Sequence, residues 1–384
     1  MHAAGRTLVV KIGSSSVTTG DGRVDTDAID KLAGEVAQAR AAGHRVVIVT
    51  SGAIAAGWTT LAEGRTRPSD LATLQAVAAV GQHLLMRVWS DALGRHGLVA
   101  GQVLLAPLDF GERRQYLHAR STLLRLLELG VVPVVNENDA VADDEIRFGD
   151  NDRLAALVAN LLGADLLVLL TDTPGLLSAD PRRVADASLV EEVTASDREL
   201  ERVAGGPGSP GGSGGMASKL AAARMAAWSG VRVVIAAADR PGVLADAVRG
   251  LPGTGTVVQA HERRLGARKL WIAFALPAAG RVLVPEGARR ALVEHEASLL
   301  PVGVVAVEGE WSVGEAVEIA GPDGAVFAKG IASLPSARRE EWMRRRTNEL
   351  PEDLASEMVH RDNLVVLTNG ASGEAPLTGG RRGR

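Results

Sequence analysis

Two lysines in glycine-rich surroundings carry the strongest chemical signal in this chain. Lys11 stands in the middle of the run Leu8-Val9-Val10-Lys11-Ile12-Gly13-Ser14, and Lys219 follows a glycine- and serine-rich loop, Gly205 to Gly215, that opens onto Met216-Ala217-Ser218-Lys219. Backbone N–H groups in a small glycine-led turn, or at the start of a helix, suit phosphate oxygens, and an ammonium beside them adds compact positive charge. The 42 basic residues comprise five lysines (Lys11, Lys31, Lys219, Lys269 and Lys329) and 37 arginines. A chain so biased toward the planar guanidinium makes each lysine a candidate for work that needs a compact ammonium.

Three more clusters have chemical content. Thr50-Ser51-Gly52-Ala53 is small enough for a ligand to approach the backbone, and a helix starting near Gly52 would offer free N–H groups to a carboxylate. Asn136-Glu137-Asn138-Asp139 follows Val131–Val135 directly, and Asp150-Asn151-Asp152 opens the next helical segment. So many acids and amides exceed what helix capping requires. Thr171-Asp172 closes Leu166–Thr171 with a turn that could hold a nucleotide base or ribose.

All five clusters stand just after apolar, β-branched runs or at the start of the following helix. The predicted strands are Thr7–Ile12, Arg45–Thr50, Leu98–Leu104, Val131–Val135, Leu166–Thr171 and Val231–Ala236. Helical periods lie between them, such as Ile29, Leu32 and Val36 after Asp25, or Leu71 to Val88 after Ser69. The alternation predicts an α/β fold, a mainly parallel open sheet in an αβα sandwich. Ligands in such sheets bind beyond the carboxyl ends of the strands, where these clusters stand. After residue 275 the texture changes to Arg281–Val284, Val302–Val307, Ala316–Ile319 and Ala325–Ile331, short strands of a small β-rich domain. The expected division is a catalytic domain over 1–260, a packed linker over 261–274, the β-rich domain over 275–372 and a disordered tail over 373–384.

Composition removes several function classes. Zero cysteines exclude disulfides, Fe–S clusters, thiolate zinc sites and a cysteine nucleophile. A net charge of −4 exerts no global pull toward nucleic acid or anionic lipid. The most apolar window, Leu154 to Leu170, is broken by Asn160, Gly163 and Asp165, and a membrane span needs roughly 18 uninterrupted apolar residues. It predicts a buried helix, turn and strand. The first residues lack an export pattern, so a cytoplasmic protein is expected. No G-x-x-x-x-G-K-[ST] occurs, because Ser218 precedes Lys219. Gly212-x-Gly214-x-x-Ala217 fits a loose dinucleotide pattern, but the preceding Val190 to Ala204 is charged and helical in period rather than a strand.

Together, Val9-Val10-Lys11-Ile12-Gly13-Ser14, Val49-Thr50-Ser51-Gly52-Ala53-Ile54-Ala55-Ala56-Gly57, Asn136-Glu137-Asn138-Asp139, Gly149-Asp150-Asn151-Asp152, Leu170-Thr171-Asp172 and Gly214-Gly215-Met216-Ala217-Ser218-Lys219 resemble the amino-acid kinase superfamily. Within it they resemble the glutamate 5-kinases. The segment from Arg281, with Ser298-Leu299-Leu300-Pro301 and His360-Arg361-Asp362-Asn363, looks like a PUA domain. The resemblance implies ATP-dependent phosphorylation of the γ-carboxylate of L-glutamate, the first step of proline synthesis. It implies Lys11, Lys219 and Asp152 as catalytic residues. Ser51, Gly52, Ala53, Asn136, Asp139 and Asn151 would bind substrate. Lys11, Gly13, Thr171, Asp172, Ser213, Gly214, Gly215, Met216, Ala217, Ser218 and Lys219 would bind ATP, with Mg²⁺ held mainly through the phosphates. A homo-oligomer and feedback inhibition by proline come with it. The sequence departs from the family pattern at Ser213, where threonine is common, and at Thr173-Pro174.

Rival readings remain. Kinases for N-acetylglutamate or aspartate share the superfamily, and Asp139 discriminates because a free α-ammonium needs an anionic partner. An RNA-binding PUA protein is the other class. Residues 275–372 hold 10 Lys+Arg against 15 Asp+Glu, the wrong balance for neutralising phosphates. The strip Arg338, Arg339 and Arg344 to Arg346 reads as a solvated helix face.

Overall fold

Thr7–Ile12 is buried at every position and forms β1, the middle of a large sheet. The computed structural model describes residues 5–61, 70–110, 113–141, 151–179, 184, 186–193, 215–261, 265–276 and 278–367. It divides into two units, Met1–Leu270 and Trp271–Arg384.

In the first unit, β1 leads through the single turn α1 (Ser14–Val17) to α2 (Thr26–Ala41), then β2 (Arg45–Val49), α3 (Ala53–Leu61), α4 (Leu71–Gly94) and β3 (Ala100–Leu105). Next come α5 (Arg113–Glu128), β4 (Val132–Glu137), α6 (Asn151–Leu162), β5 (Leu166–Thr171) and β6 (Glu192–Val193). The unit closes with α7 (Met216–Trp228), β7 (Arg232–Ala237), α8 (Val243–Arg249), β8 (Thr256–Val258) and α9 (Ala267–Leu270). The strand order is β3-β4-β2-β1-β5-β7-β8-β6; the first six run parallel, and β8 turns antiparallel to β7.

Side-chain parity sorts the layers. Leu8, Val10 and Ile12 share a core with Ile29, Leu32 and Val36 of α2, Leu85 and Trp89 of α4, and Val243 and Leu244 of α8. With a period of two, Val9 and Lys11 face the opposite side, against α6, whose neighbour is α7. Chain order reverses beside β1, with β2 on one flank and β5 on the other. That switch opens a crevice at the carboxyl ends of the central strands.

Local chemistry sets the elements that border the crevice. Asp25 caps α2 by accepting from the Ala28 N–H, and Asp70 caps α4 through the Thr73 N–H. Gly52, at φ +104°, turns the chain from β2 into α3 in a conformation that L side chains rarely adopt. Helices α3 and α4 then pack backbone to backbone. A Cβ at Gly57 would lie 2.0 Å from the Val77 carbonyl oxygen, and one at Gly81 would lie 1.7 Å from that of Ala53. Any larger residue there would push α4 away from the strand ends.

The second unit contains β9 (Ala278–Leu283), α10 (Glu286–His295), β10 (Ala306–Gly309), β11 (Ala316–Ala320), β12 (Val326–Ile331) and β13 (Leu364–Val366). These strands form one sheet, ordered β10-β9-β11-β12-β13, over a core that includes Trp311, Phe327 and Trp342.

Several expectations shift. β4 extends two residues past Val135, taking Asn136 and Glu137 into the strand, because both continue the pairing with β3 at Leu104 and Leu105. Val302 lies in the helical turn Pro301–Gly303 rather than in a strand, since the fixed φ of Pro301 suits a turn start. The arginine strip is not one helix face: α-helix covers only Arg339–Trp342, Arg344 sits at φ +63°, and Arg338 pairs with Glu341 and Asp353. Ser69, the loop 205–214 and the tail 373–384 lie outside the described residues.

Candidate active site

Lys11, next to last in β1, meets the starts of two helices on the α6 side of the sheet. Its Nζ lies 2.6 Å from Asp152 Oδ1, while Lys219 Nζ, from the first turn of α7, lies 3.2 Å from Asp152 Oδ2. The three side chains are 4 %, 1 % and 7 % exposed for Lys11, Asp152 and Lys219, so water screens none of them strongly. Ser218 Oγ stands 3.1 Å from Asp152 Oδ2 and 3.0 Å from the Gly215 carbonyl. Burial by itself would raise the Asp152 pKa, but the Lys11 and Lys219 ammonium groups outweigh it and hold the carboxyl below its ordinary value. The formal charges of the trio sum to one positive charge, fitting it for an anion. A Cβ at Gly13 would lie 3.5 Å from Lys11 Nζ, an ordinary van der Waals contact, so this turn borders the ammonium directly.

Asn151, one residue earlier on α6, turns the other way. Its Nδ2 lies 2.6 Å from the Thr50 carbonyl oxygen, 2.8 Å from Ser51 Oγ and 2.8 Å from Asn136 Oδ1. Asn136 Nδ2 in turn donates to Gln82 Oε1 of α4 at 2.7 Å. Trp89, two turns further along α4, donates from Nε1 to Thr50 Oγ1 at 3.0 Å and ties the helix to the end of β2. All of these groups are buried. Ser51 Oγ accepts from Asn151, which leaves the hydroxyl proton available to an incoming acceptor. Asn151 Oδ1 is buried without a hydrogen-bond partner, an acceptor suited to a ligand donor.

Beyond Gln82 lies a cavity of about 330 Å³, lined among others by Gln82, His83, Gln102, Glu137, Asn138 and Asp139. Burial pushes the Asp139 carboxyl up to about 6. An anion held at such cost favours a cationic ligand group. On the other flank of β1, Thr171 Oγ1 lies 3.0 Å from Asp172 Oδ1 at the end of β5. Gly215 caps α7, and Met216, Ala217 and Ser218 are half-buried behind it. Ser213 and Gly214 lie outside the described residues.

Two family patterns match the chain, "Amino acid kinase family" over residues 6–237 and "PUA domain" over 280–352. A glutamate 5-kinase of Mycobacterium ulcerans is 46 % identical over 94 % of this chain and 97 % of its own length. One from Cupriavidus metallidurans is 46 % identical over 95 % of this chain and 99 % of its own. The chain belongs to the glutamate 5-kinase family. A carbamate kinase from Giardia lamblia, solved with AMP-PNP, is 20 % identical with a TM-score of 0.48, covering 68 % of this chain and 100 % of its own.

Of the residues that the sequence singled out in this glutamate 5-kinase family member, the structure gathers Lys11, Asp152, Ser218 and Lys219 at one locus and Ser51, Asn136 and Asn151 at the next. Asp139 lines the adjoining cavity, and Thr171 with Asp172 forms a separate edge at β5. Sequence reasoning missed Gln82, Trp89, Gln102 and His83. Gln82, Trp89 and His83 sit inside the regular apolar period of α4, where nothing in the spacing separates a site residue from an ordinary helix position. The run Val80-Gly81-Gln82 held the one usable signal, a glycine in a helix interior beside a polar residue.

Proposed function

We propose that the protein transfers the γ-phosphoryl group of ATP to the γ-carboxylate of L-glutamate, giving ADP and γ-glutamyl phosphate on the way to proline. The observation that carries this reading is the buried pair of ammonium groups sharing Asp152 at the end of β1, in a member of this family. A glutamate side chain with a pKa near 4.3 is already ionised at pH 7, so the nucleophile needs no general base. One carboxylate oxygen attacks the γ-phosphorus, the bond from that phosphorus to the β,γ-bridging oxygen breaks, and its electron pair leaves with ADP. Two anions must meet, so alignment and charge neutralisation do the catalysis.

In this reading Lys11 and Lys219 neutralise the transferring phosphoryl oxygens, and Asp152 spaces and orients them. Asp139 receives the α-ammonium, while the Ser51 hydroxyl and the Gly52 and Ala53 amides hold the carboxylates. Asn151, with Asn136 behind it, orients Ser51. Gly13, Thr171, Asp172 and the segment from Ser213 to Lys219 hold the nucleotide. Mg²⁺ enters on the phosphate oxygens, hard donors that suit it, as part of the nucleotide substrate. The need for ATP supports a cytoplasmic setting, and among the described residues no helix is long and apolar enough to cross a membrane. Feedback inhibition by proline and a homo-oligomer are carried as further proposals on the family resemblance.

The test is incubation with ATP, Mg²⁺, L-glutamate and hydroxylamine, scored for γ-glutamyl hydroxamate. N-acetylglutamate and aspartate are run in parallel. Product from glutamate alone supports the reading, and preference for N-acetylglutamate would overturn the role of Asp139.

A further inference from the structure

Lys31 is one of the five lysines in this arginine-dominated chain, and the sequence offered no task for it. It lies on α2, outside both clusters of the site. Its Nζ donates to the Ala238 carbonyl at 2.7 Å and the Arg240 carbonyl at 2.8 Å, and it pairs with Glu35 at 3.0 Å. Three acceptors converging on one tetrahedral ammonium use its three protons in full. A planar guanidinium cannot meet that arrangement without moving the backbone. Glu35, 7 % exposed, completes the brace by accepting from the Gly242 N–H at 3.1 Å and the Leu244 N–H at 2.9 Å.

The braced segment, residues 238–244, leaves the carboxyl end of β7, the strand beside β5. Its first N–H, that of Ala238, donates to the Thr171 carbonyl at 2.7 Å. Thr171 and Asp172 form the edge to which the proposed function assigns the nucleotide. One helix on the far face of the sheet therefore grips, through two side chains, the strand-end segment bonded to that edge. Surface lysines ordinarily contribute little to a fold; a lysine and glutamate that together engage four backbone groups of one loop are a different case.

We propose that Lys31 and Glu35 are positioning residues for ATP: they hold segment 238–244 against Thr171, so the nucleoside side of the cleft is formed before the nucleotide arrives. This rests on the nucleotide placement given above. It goes beyond it by naming residues that touch neither substrate. Preorganisation of this kind acts on nucleotide affinity and leaves phosphoryl transfer, which depends on Lys11, Lys219 and Asp152, untouched.

The absence of cysteine from the chain makes a clean test available. Lys31→Cys removes the ammonium, and alkylation of that single thiol with 2-bromoethylamine restores one at nearly the original length. Binding of AMP-PNP with Mg²⁺ is measured by calorimetry, alongside KM values, for wild type, Lys31→Cys, its aminoethylated form and Glu35→Gln. The expected result is AMP-PNP affinity and KM for ATP weakened about five- to tenfold in Lys31→Cys and recovered on aminoethylation, with KM for glutamate and kcat at saturating ATP within twofold. Glu35→Gln keeps one carbonyl acceptor and should lose about half as much on a logarithmic scale. Unchanged nucleotide affinity in both variants overturns the proposal. So does equal weakening of ATP and glutamate, or a loss that aminoethylation does not reverse while the melting temperature recovers. Because AMP-PNP affinity is read without an acceptor, a wild-type protein that binds it but does not phosphorylate glutamate defeats the proposed function and leaves this inference standing.

Discussion

Asn151 and Asp152 are neighbours at the start of α6, yet they build two unlike halves of the cleft. Asp152 joins a charged half, in which two ammonium groups share one carboxylate. Asn151 joins a neutral half, a chain of amides from Gln82 through Asn136 to Ser51. Under the proposed function, the charged half would face a group whose own charge must be neutralised as it moves. The neutral half needs geometry rather than field, because amides and hydroxyls fix direction without the desolvation cost of buried ions. In the proposed reading, charge is concentrated where phosphoryl transfer requires it, and the side assigned to glutamate is built from dipoles, with Asp139 as the added anion.

The deepest break in that contrast is Asp152→Asn. It leaves two buried ammonium groups without their shared carboxylate, which should cost about 3–5 kcal/mol of stability and lower kcat by about a thousandfold or more. Thermal unfolding and saturating kinetics check both effects, and a variant of near-normal stability would show that water already screens the trio. Lys219→Arg keeps the charge but replaces a compact head group with a flat fork. We expect kcat to fall by about a hundredfold with the melting temperature nearly unchanged.

Asp139→Asn probes the neutral half and should weaken glutamate binding by about 2 kcal/mol, read as a KM rise of about thirtyfold with kcat little altered. Burial holds the Asp139 carboxyl at about 6, so in the wild type KM for glutamate should climb as pH drops through 6, and the variant should lose that dependence. Stability moves the opposite way. A carboxyl whose folded pKa lies above its unfolded value of 3.8 favours folding most when protonated, and that advantage is lost as pH rises from about 4 to 6. The uncharged Asp139→Asn variant should therefore be more stable than wild type at pH 7, by about 3 kcal/mol at most. A lower melting temperature at pH 7 would show that an unmeasured partner already offsets the charge.

Asn136→Ala sharpens the comparison more gently. Removing the amide in the middle of the chain strands Gln82 Oε1, while the two Asn151 protons keep the Thr50 carbonyl and Ser51 Oγ, for about 1–3 kcal/mol of stability and a severalfold rise in KM for glutamate, with KM for ATP unchanged. Equal effects on both substrates would show that the two halves are coupled through α6. The smallest effect is expected from ending the chain after Leu270, since both halves come from Met1–Leu270. Hydroxamate formation should persist, and its complete loss in a folded protein would show that the second unit contributes to turnover.

The sequence alone was enough to recover the strand ends that carry Lys11, Ser51, Asn136 and Thr171, because β-branched runs and glycine turns are local properties of the chain. It also revealed the family, through short motifs whose spacing the strand–helix alternation imposes. It reached Asp25 as a helix start for the same reason, a cap being decided within three residues. What it did not reach depends on direction. Sheet parity sends Lys11 to the face where α6 and α7 begin, and Asn136 to the face of α4. Two helices crossing at Gly57 and Gly81 bring Gln82 to Asn136, and α2 brings Lys31 to a loop more than 200 residues away in sequence. Residue types and their spacing record which chemistry is possible, whereas which groups share a carboxylate or a carbonyl is set by packing between distant segments, and only the tertiary structure decides that.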